Sequence, residues 1–251
     1  MARVIQQLLL VLLGGVVLRT ALTDAHLAYV QPGFRPLLVG AGAVLLALAA
    51  AGLLGTRRHA DDGHHHDGHH HDGHHHDGHH HDVAPSTWLL VLPVAVLLLV
   101  APPALGAFTA ERQAQPIAVP AGARSSAALL GPDDEGADHR TLTLLEYGIH
   151  ALAPGSPALT GRSVRLQGFA LPRDGGGWYV ARIRIGCCAA DAVPIAVVLS
   201  GAPEDLEEGE WVEVVGGWAP PRENAGGGYP EPVIAARSVQ RIEPPANPYE
   251  G

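Results

Sequence analysis

From Pro36 to Leu54 the chain reads PLLVGAGAVLLALAAAGLL, nineteen residues without a charge. About 20 apolar helical residues match the hydrocarbon thickness of a bilayer, so the stretch predicts a spanning helix. Thr87 to Ala107, TWLLVLPVAVLLLVAPPALGA, meets the same test. Pro93 is placed to kink it, and Pro102 with Pro103 to end it. Val4 to Leu18, VIQQLLLVLLGGVVL, is apolar but short, and continuing to Val30 admits Arg19, Asp24 and His26. A cleaved signal peptide is the rival reading there, but no small-x-small cleavage site follows and two more apolar stretches do. The expectation is a membrane α-helical N-terminal region, 1–107, with spans at about 4–30, 36–54 and 87–107. Gly40, Ala41, Gly42 and Ala43 would let helices approach closely; an alanine-rich compositional bias explains them equally well.

Apolar residues make up 47% of the 251 and crowd into this first part. The net charge of −9 excludes simple nucleic-acid binding, because nothing would neutralise a run of phosphates. Arg57 and Arg58 directly follow the second span and favour the cytoplasmic side. Arg3 and the amino terminus share that side, although Arg19 and Arg35 lie in the first loop. With three spans, the expected arrangement is a multi-pass plasma-membrane protein whose His-rich loop is inside and whose C-terminal domain is outside.

Between the second and third spans, in the loop 55–86, the pentapeptide GHHHD repeats four times. Its histidines are His64, His65, His66, His69, His70, His71, His74, His75, His76, His79, His80 and His81, interleaved with Asp67, Asp72 and Asp77. Neutral imidazole and carboxylate ligate zinc and other divalent transition metals. The intervening glycines specify no single cage, so weak, exchangeable capture of several ions is expected rather than a catalytic centre. The alternatives are a solvated low-complexity linker expanded by repeat slippage, and a pH sensor, since protons compete for the same nitrogens.

Residues 108–140 read as a linker, rich in Ala, Pro and Gly with an acidic patch. From 141 onward the pattern changes. Thr141–Leu152 has helical spacing of its leucines. Ser163–Leu171, Trp178–Ile185, Ile195–Leu199, Glu210–Trp218 and Val233–Ile242 alternate like short strands bounded by Gly, Pro or Asp. Five such strands predict a small all-β, OB-like barrel over 141–251. Acidic residues outnumber basic ones here, against the oligonucleotide binding that such barrels often perform.

Within it, IGCCAADAVP carries the only two cysteines, Cys187 and Cys188, with Asp191. Thiolates bind zinc and Cu(I), so Cys187, Cys188 and Asp191 are candidate metal ligands, with His150 or His139 as distant partners. A strained vicinal disulfide is a second reading, and simple core packing a third.

Three apolar spans, a His/Asp loop between the second and third, and CCAADAVP following a strand with Arg182 and Arg184 together resemble the YcgQ-like family of two-component permease subunits. That resemblance implies an integral membrane subunit acting with a separate multispanning permease, and gives Cys187, Cys188 and Asp191 interest. No Ser-His-Asp arrangement, phosphate loop or paired carboxylates suggest catalysis, so a non-enzymatic subunit handling zinc through its His loop is expected. A stand-alone membrane metal sensor or buffer, or a membrane-anchored thiol oxidoreductase, are the alternatives.

Overall fold

A computed structural model describes residues 2–61, 104–113, 138–153, 155–156, 158–224 and 229–250. The chain forms two compact units, one of Met1–His26 with Pro32–Pro103, the other of Leu27–Gln31 with Ala104–Gly251.

The first unit is a pair of packed helices, α1 (Ala2–Leu22) and α2 (Arg35–Asp61). The expected first span running to Val30 is corrected: α1 stops at Leu22. Just beyond it, the Thr23 N–H (3.1 Å) and hydroxyl (3.0 Å) both donate to the Arg19 carbonyl. Asp24–Ala28 and Pro32–Phe34 are 3-10 turns, and the Arg35 side chain donates to the Ala21 carbonyl (3.0 Å), tying the two helix ends. Pro36 occupies the first turn of α2, where its missing N–H costs nothing.

The helices touch where glycine permits it. A Cβ on Gly42 would lie 3.1 Å from the Leu18 nitrogen and 3.2 Å from the Gly14 carbonyl. Gly40, by contrast, faces open space. Among the described residues one segment, Pro32–Leu54, is long and apolar enough to cross a membrane, and Gln6–Leu22 is apolar but shorter. Their outer faces display Leu8, Leu37, Val44, Leu48 and Leu54, all exposed. The third expected span lies, up to Pro103, outside the described residues, as does the His/Asp loop from Asp62.

The second unit is the expected barrel. Its strands are β1 (Arg140–Thr141), β2 (Ser163–Pro172), β3 (Trp178–Arg184), β4 (Val193–Ser200), β5 (Trp211–Arg222), β6 (Glu231–Arg241) and β7 (Tyr249–Glu250). β2, β3 and β4 form a meander, β5 returns antiparallel to β2, and β6 closes the circuit, antiparallel to β5 and parallel to β4. That is a five-stranded Greek-key barrel. Closure removes the edges that open sheets must protect.

Alternation along the first halves of β2 and β5 sends Val164, Leu166, Val212 and Val214 inward to meet Val180, Val197 and Ile234. The helix α4 (Leu144–Ala151) packs against this core with Leu144, Tyr147 and Ala151. A second apolar cluster joins Phe169, Leu171, Ile183 and Tyr249 to Ala110 of α3 (Ala107–Gln113). Residues 104–113, taken from sequence as span end and linker, therefore belong to the barrel unit.

Two glycines permit the tight strand crossings. A Cβ on Gly168 would stand 2.4 Å from the Ala181 carbonyl oxygen, and one on Gly216 2.3 Å from that of Ala235. Neither acceptor can yield without moving the ladder. Gly216→Ala is expected to destabilise the barrel by about 1–3 kcal/mol through overpacking, read as a lowered thermal midpoint by circular dichroism.

The α4 N-terminus holds a capping box, Thr143 with Glu146, that the spacing T-x-x-E announces. A second cap comes from far away: the Glu250 carboxylate accepts from the Leu144 (2.6 Å) and Leu145 (3.3 Å) N–H groups. Burial pushes Glu250 above its ordinary value despite those bonds. The folded state therefore holds the Glu250 proton more tightly than the unfolded chain does. This contribution is fully present below the ordinary glutamate value, about 4.3, and is lost as pH rises through the raised one. Glu250→Gln keeps an acceptor and removes the charge. The stability of wild type relative to this variant should rise on acidification from neutrality, measured by thermal melts across pH.

Candidate functional site

The IGCCAADAVP segment is the hairpin joining β3 to β4, and its shape is set by Asp191. One carboxylate oxygen accepts from the Gly186 N–H (2.8 Å) and the other from Cys187 N–H (2.7 Å). Residues 189–191 form a 3-10 turn, closed by the Asp191 N–H donating to the Cys188 carbonyl (3.0 Å). A Cβ at position 186 would meet an Asp191 oxygen at 3.0 Å, which suits glycine there. Asp191, a candidate metal ligand from sequence, thus has both oxygens engaged by backbone.

The two thiols are free, Cys187 exposed and Cys188 half-buried, with their sulfurs 3.6 Å apart. The Asp191 carboxylate beside Cys187 accepts from its thiol and resists a second negative charge. With Cys188 adding to the effect, the Cys187 thiol is pushed up to about 11. The same hydrogen bond, with the Gly186 N–H, holds the Asp191 carboxyl below its usual range.

The hairpin also carries a docked strand. Val30 bridges Cys188 in antiparallel fashion. The Gln31 N–H donates to the Cys187 carbonyl (3.1 Å), and the Ala189 N–H donates to the Tyr29 carbonyl (2.7 Å). The Gln31 side-chain amide reaches the Ile185 carbonyl (2.6 Å). This short segment, Leu27–Gln31, connects α1 to α2 along the chain.

Tyr249 fastens the arrangement. Its hydroxyl donates to the Ala28 carbonyl (2.8 Å) and accepts from the Leu105 N–H (2.8 Å). β7, which presents Tyr249, pairs with Ile183 and Arg184 and is approached through Arg182. That guanidinium donates to the carbonyls of Asn247 (2.7 Å) and Pro248 (3.2 Å) and stands over the Trp211 ring. Burial lowers its pKa. Sequence reasoning marked Arg182 and Arg184 only as neighbours of the cysteines, and missed Tyr249, Gln31 and Glu250 altogether.

The other candidates are placed apart. His150 is buried on α4, where desolvation lowers its pKa, and its Nδ1 finds no partner among the described residues. Among the described residues no group of three or more His, Cys, Asp or Glu side chains is arranged to hold a metal ion. The twelve loop histidines, with Asp67, Asp72 and Asp77, lie outside the described residues.

Residues 5–114 match the DUF1980 N-terminal domain and residues 150–250 the DUF1980 C-terminal domain. The chain belongs to the DUF1980 family. The C-terminal DUF1980 domain takes in the barrel, the cysteine hairpin and the Tyr249 strap, and the N-terminal one takes in both helices and the Leu27–Gln31 segment. No curated protein and no solved structure matches the chain.

The geometry makes Cys187 slow toward electrophiles at neutral pH, since only the thiolate attacks. In a Cys188→Ser background, Asp191→Asn should raise the rate of Cys187 alkylation at pH 8 by about tenfold per unit of pKa relieved. An unchanged rate would mean that the carboxylate does not control the thiol.

Proposed function

We propose that this DUF1980 protein is the small, non-enzymatic subunit of a two-component permease of the YcgQ-like kind. In this reading it crosses the plasma membrane three times, with the barrel outside and the His/Asp loop inside. The observation that carries the topology is the Tyr249 hydroxyl, bonded at once to Ala28 and to Leu105. Ala28 lies between α1 and α2, so their connection is on the barrel's side of the bilayer. α2, with 27 residues, is about 40 Å long and carries the chain across. Leu105 belongs to the barrel unit, which supports a further crossing between residues 62 and 103 in this reading. The apolar stretch from Thr87 supplies that crossing. Chain parity then puts the His/Asp loop on the face away from the barrel, and Arg57 with Arg58 makes that face the cytoplasmic one.

Three helices enclose no conventional transport path, so a larger multispanning subunit supplies it. The His/Asp loop gathers divalent metal, zinc by ligand chemistry, at the inner face. The protonated state of Cys187 weighs against the thiol oxidoreductase alternative, which needs a ready thiolate.

Two measurements test this reading. Reporter fusions in the His/Asp loop and after Gly251 should report opposite sides, cytoplasmic and external; the same side for both would break the three-span topology. Affinity purification from mild detergent should recover a multispanning membrane protein in fixed ratio. Recovery of the chain alone, with its response to zinc intact, would favour a stand-alone sensor.

A further inference from the structure

We propose that Cys187 and Cys188 form a two-thiolate site for a soft divalent cation of the zinc and cadmium class, with water completing the coordination. The inference does not depend on the permease reading. Metal–thiolate bonds of about 2.3 Å at a tetrahedral centre put two sulfurs about 3.8 Å apart. The sulfurs here are 3.6 Å apart, and at least one is open to solvent.

The hairpin holds that spacing through backbone rather than side-chain packing. Asp191 closes the turn by accepting from Gly186 and Cys187. The Tyr29–Gln31 strand grips the Cys187 carbonyl and the Ala189 N–H from the other side. By accepting from the Gly186 and Cys187 N–H groups, Asp191 holds the turn that carries both thiols. Adjacent residues in an ordinary extended strand point to opposite faces; here the two sulfurs stand 3.6 Å apart, just ahead of the 3-10 turn at Ala189–Asp191.

Binding is a proton exchange: two thiols and one M2+ give M(SR)2 and two H+, with no change of oxidation state. Affinity therefore rises with pH.

The test uses the full chain, reduced, in detergent micelles, with cadmium as the probe. Sulfur-to-cadmium charge transfer absorbs in the ultraviolet, and the histidines of the loop do not produce it. Since the chain has two cysteines, the band reports on this pair alone. The expected result is saturation at one thiolate-bound ion per chain, an affinity that rises with pH, and protection of both thiols from a chromogenic thiol reagent. Cys187→Ser and Cys188→Ser should each weaken binding at least tenfold, while zinc displaces cadmium from wild type. The proposal is overturned if saturating cadmium gives no band while two free thiols are counted. It is equally overturned if the pair is isolated as a disulfide that re-forms in the presence of the ion. Should a serine variant fail to fold by circular dichroism, the wild-type titration and thiol protection still decide. None of these results bears on co-purification of a larger subunit, so the two ideas fail separately.

Discussion

The hydroxyl of Tyr249 is the fastening on which the second unit depends. It is one oxygen, and it uses both its donor and an acceptor lone pair on backbone groups from two remote segments. Each such bond contributes only about 1 kcal/mol net, but a buried partner left unpaired costs about 1–3 kcal/mol. The strap that carries Tyr249 is in turn held by Arg182 and by pairing to β3, and it ends in Glu250, the distant cap of α4. A single short strand thus joins the inter-helix segment, the exit from the third apolar stretch and the barrel's helix. None of these pieces has enough local structure to place itself.

The barrel makes that fastening stiff. Its closed circuit leaves β3 bonded on both sides, to β2 and β4, before it reaches the cysteine hairpin. Beside the start of β3, Glu231 is buried with an Arg173 ion pair (2.8 Å) and a bond from the Tyr179 hydroxyl. That network ties the β2–β3 hairpin to the first residue of β6. Burial and the bond to Glu231 push the Tyr179 phenol up to about 12, so it remains a donor throughout the ordinary pH range. A buried ion pair of this kind specifies geometry more than it adds stability. Here the geometry is the direction of β3 and hence of the hairpin beyond it.

Under the proposed topology the chain offers metal ligands on both faces of the membrane, chemically unlike. The His/Asp repeats offer many imidazoles and carboxylates, ligands that protons displace, a pattern suited to capturing ions weakly and releasing them. The adjacent thiols are two, placed by the fold and selective for softer ions.

Much of this could be read from the amino acids alone. Uninterrupted apolar composition marks α2, alternation marks the five barrel strands, and leucine spacing marks α4, because those signals depend on neighbours within a turn or a strand. The end of α1 is hidden because apolar character continues in patches to Val30, whereas the backbone leaves the helix at Leu22 for a 3-10 turn from Asp24. The cysteines were visible as an oddity, and Asp191 as their neighbour, yet its part in closing the turn rests on two backbone N–H groups that no residue pattern displays. Tyr249 lies 144 positions from Leu105 and 221 from Ala28. Its partners are backbone atoms, which leave no trace in residue identity, and only closure of the barrel brings them within reach.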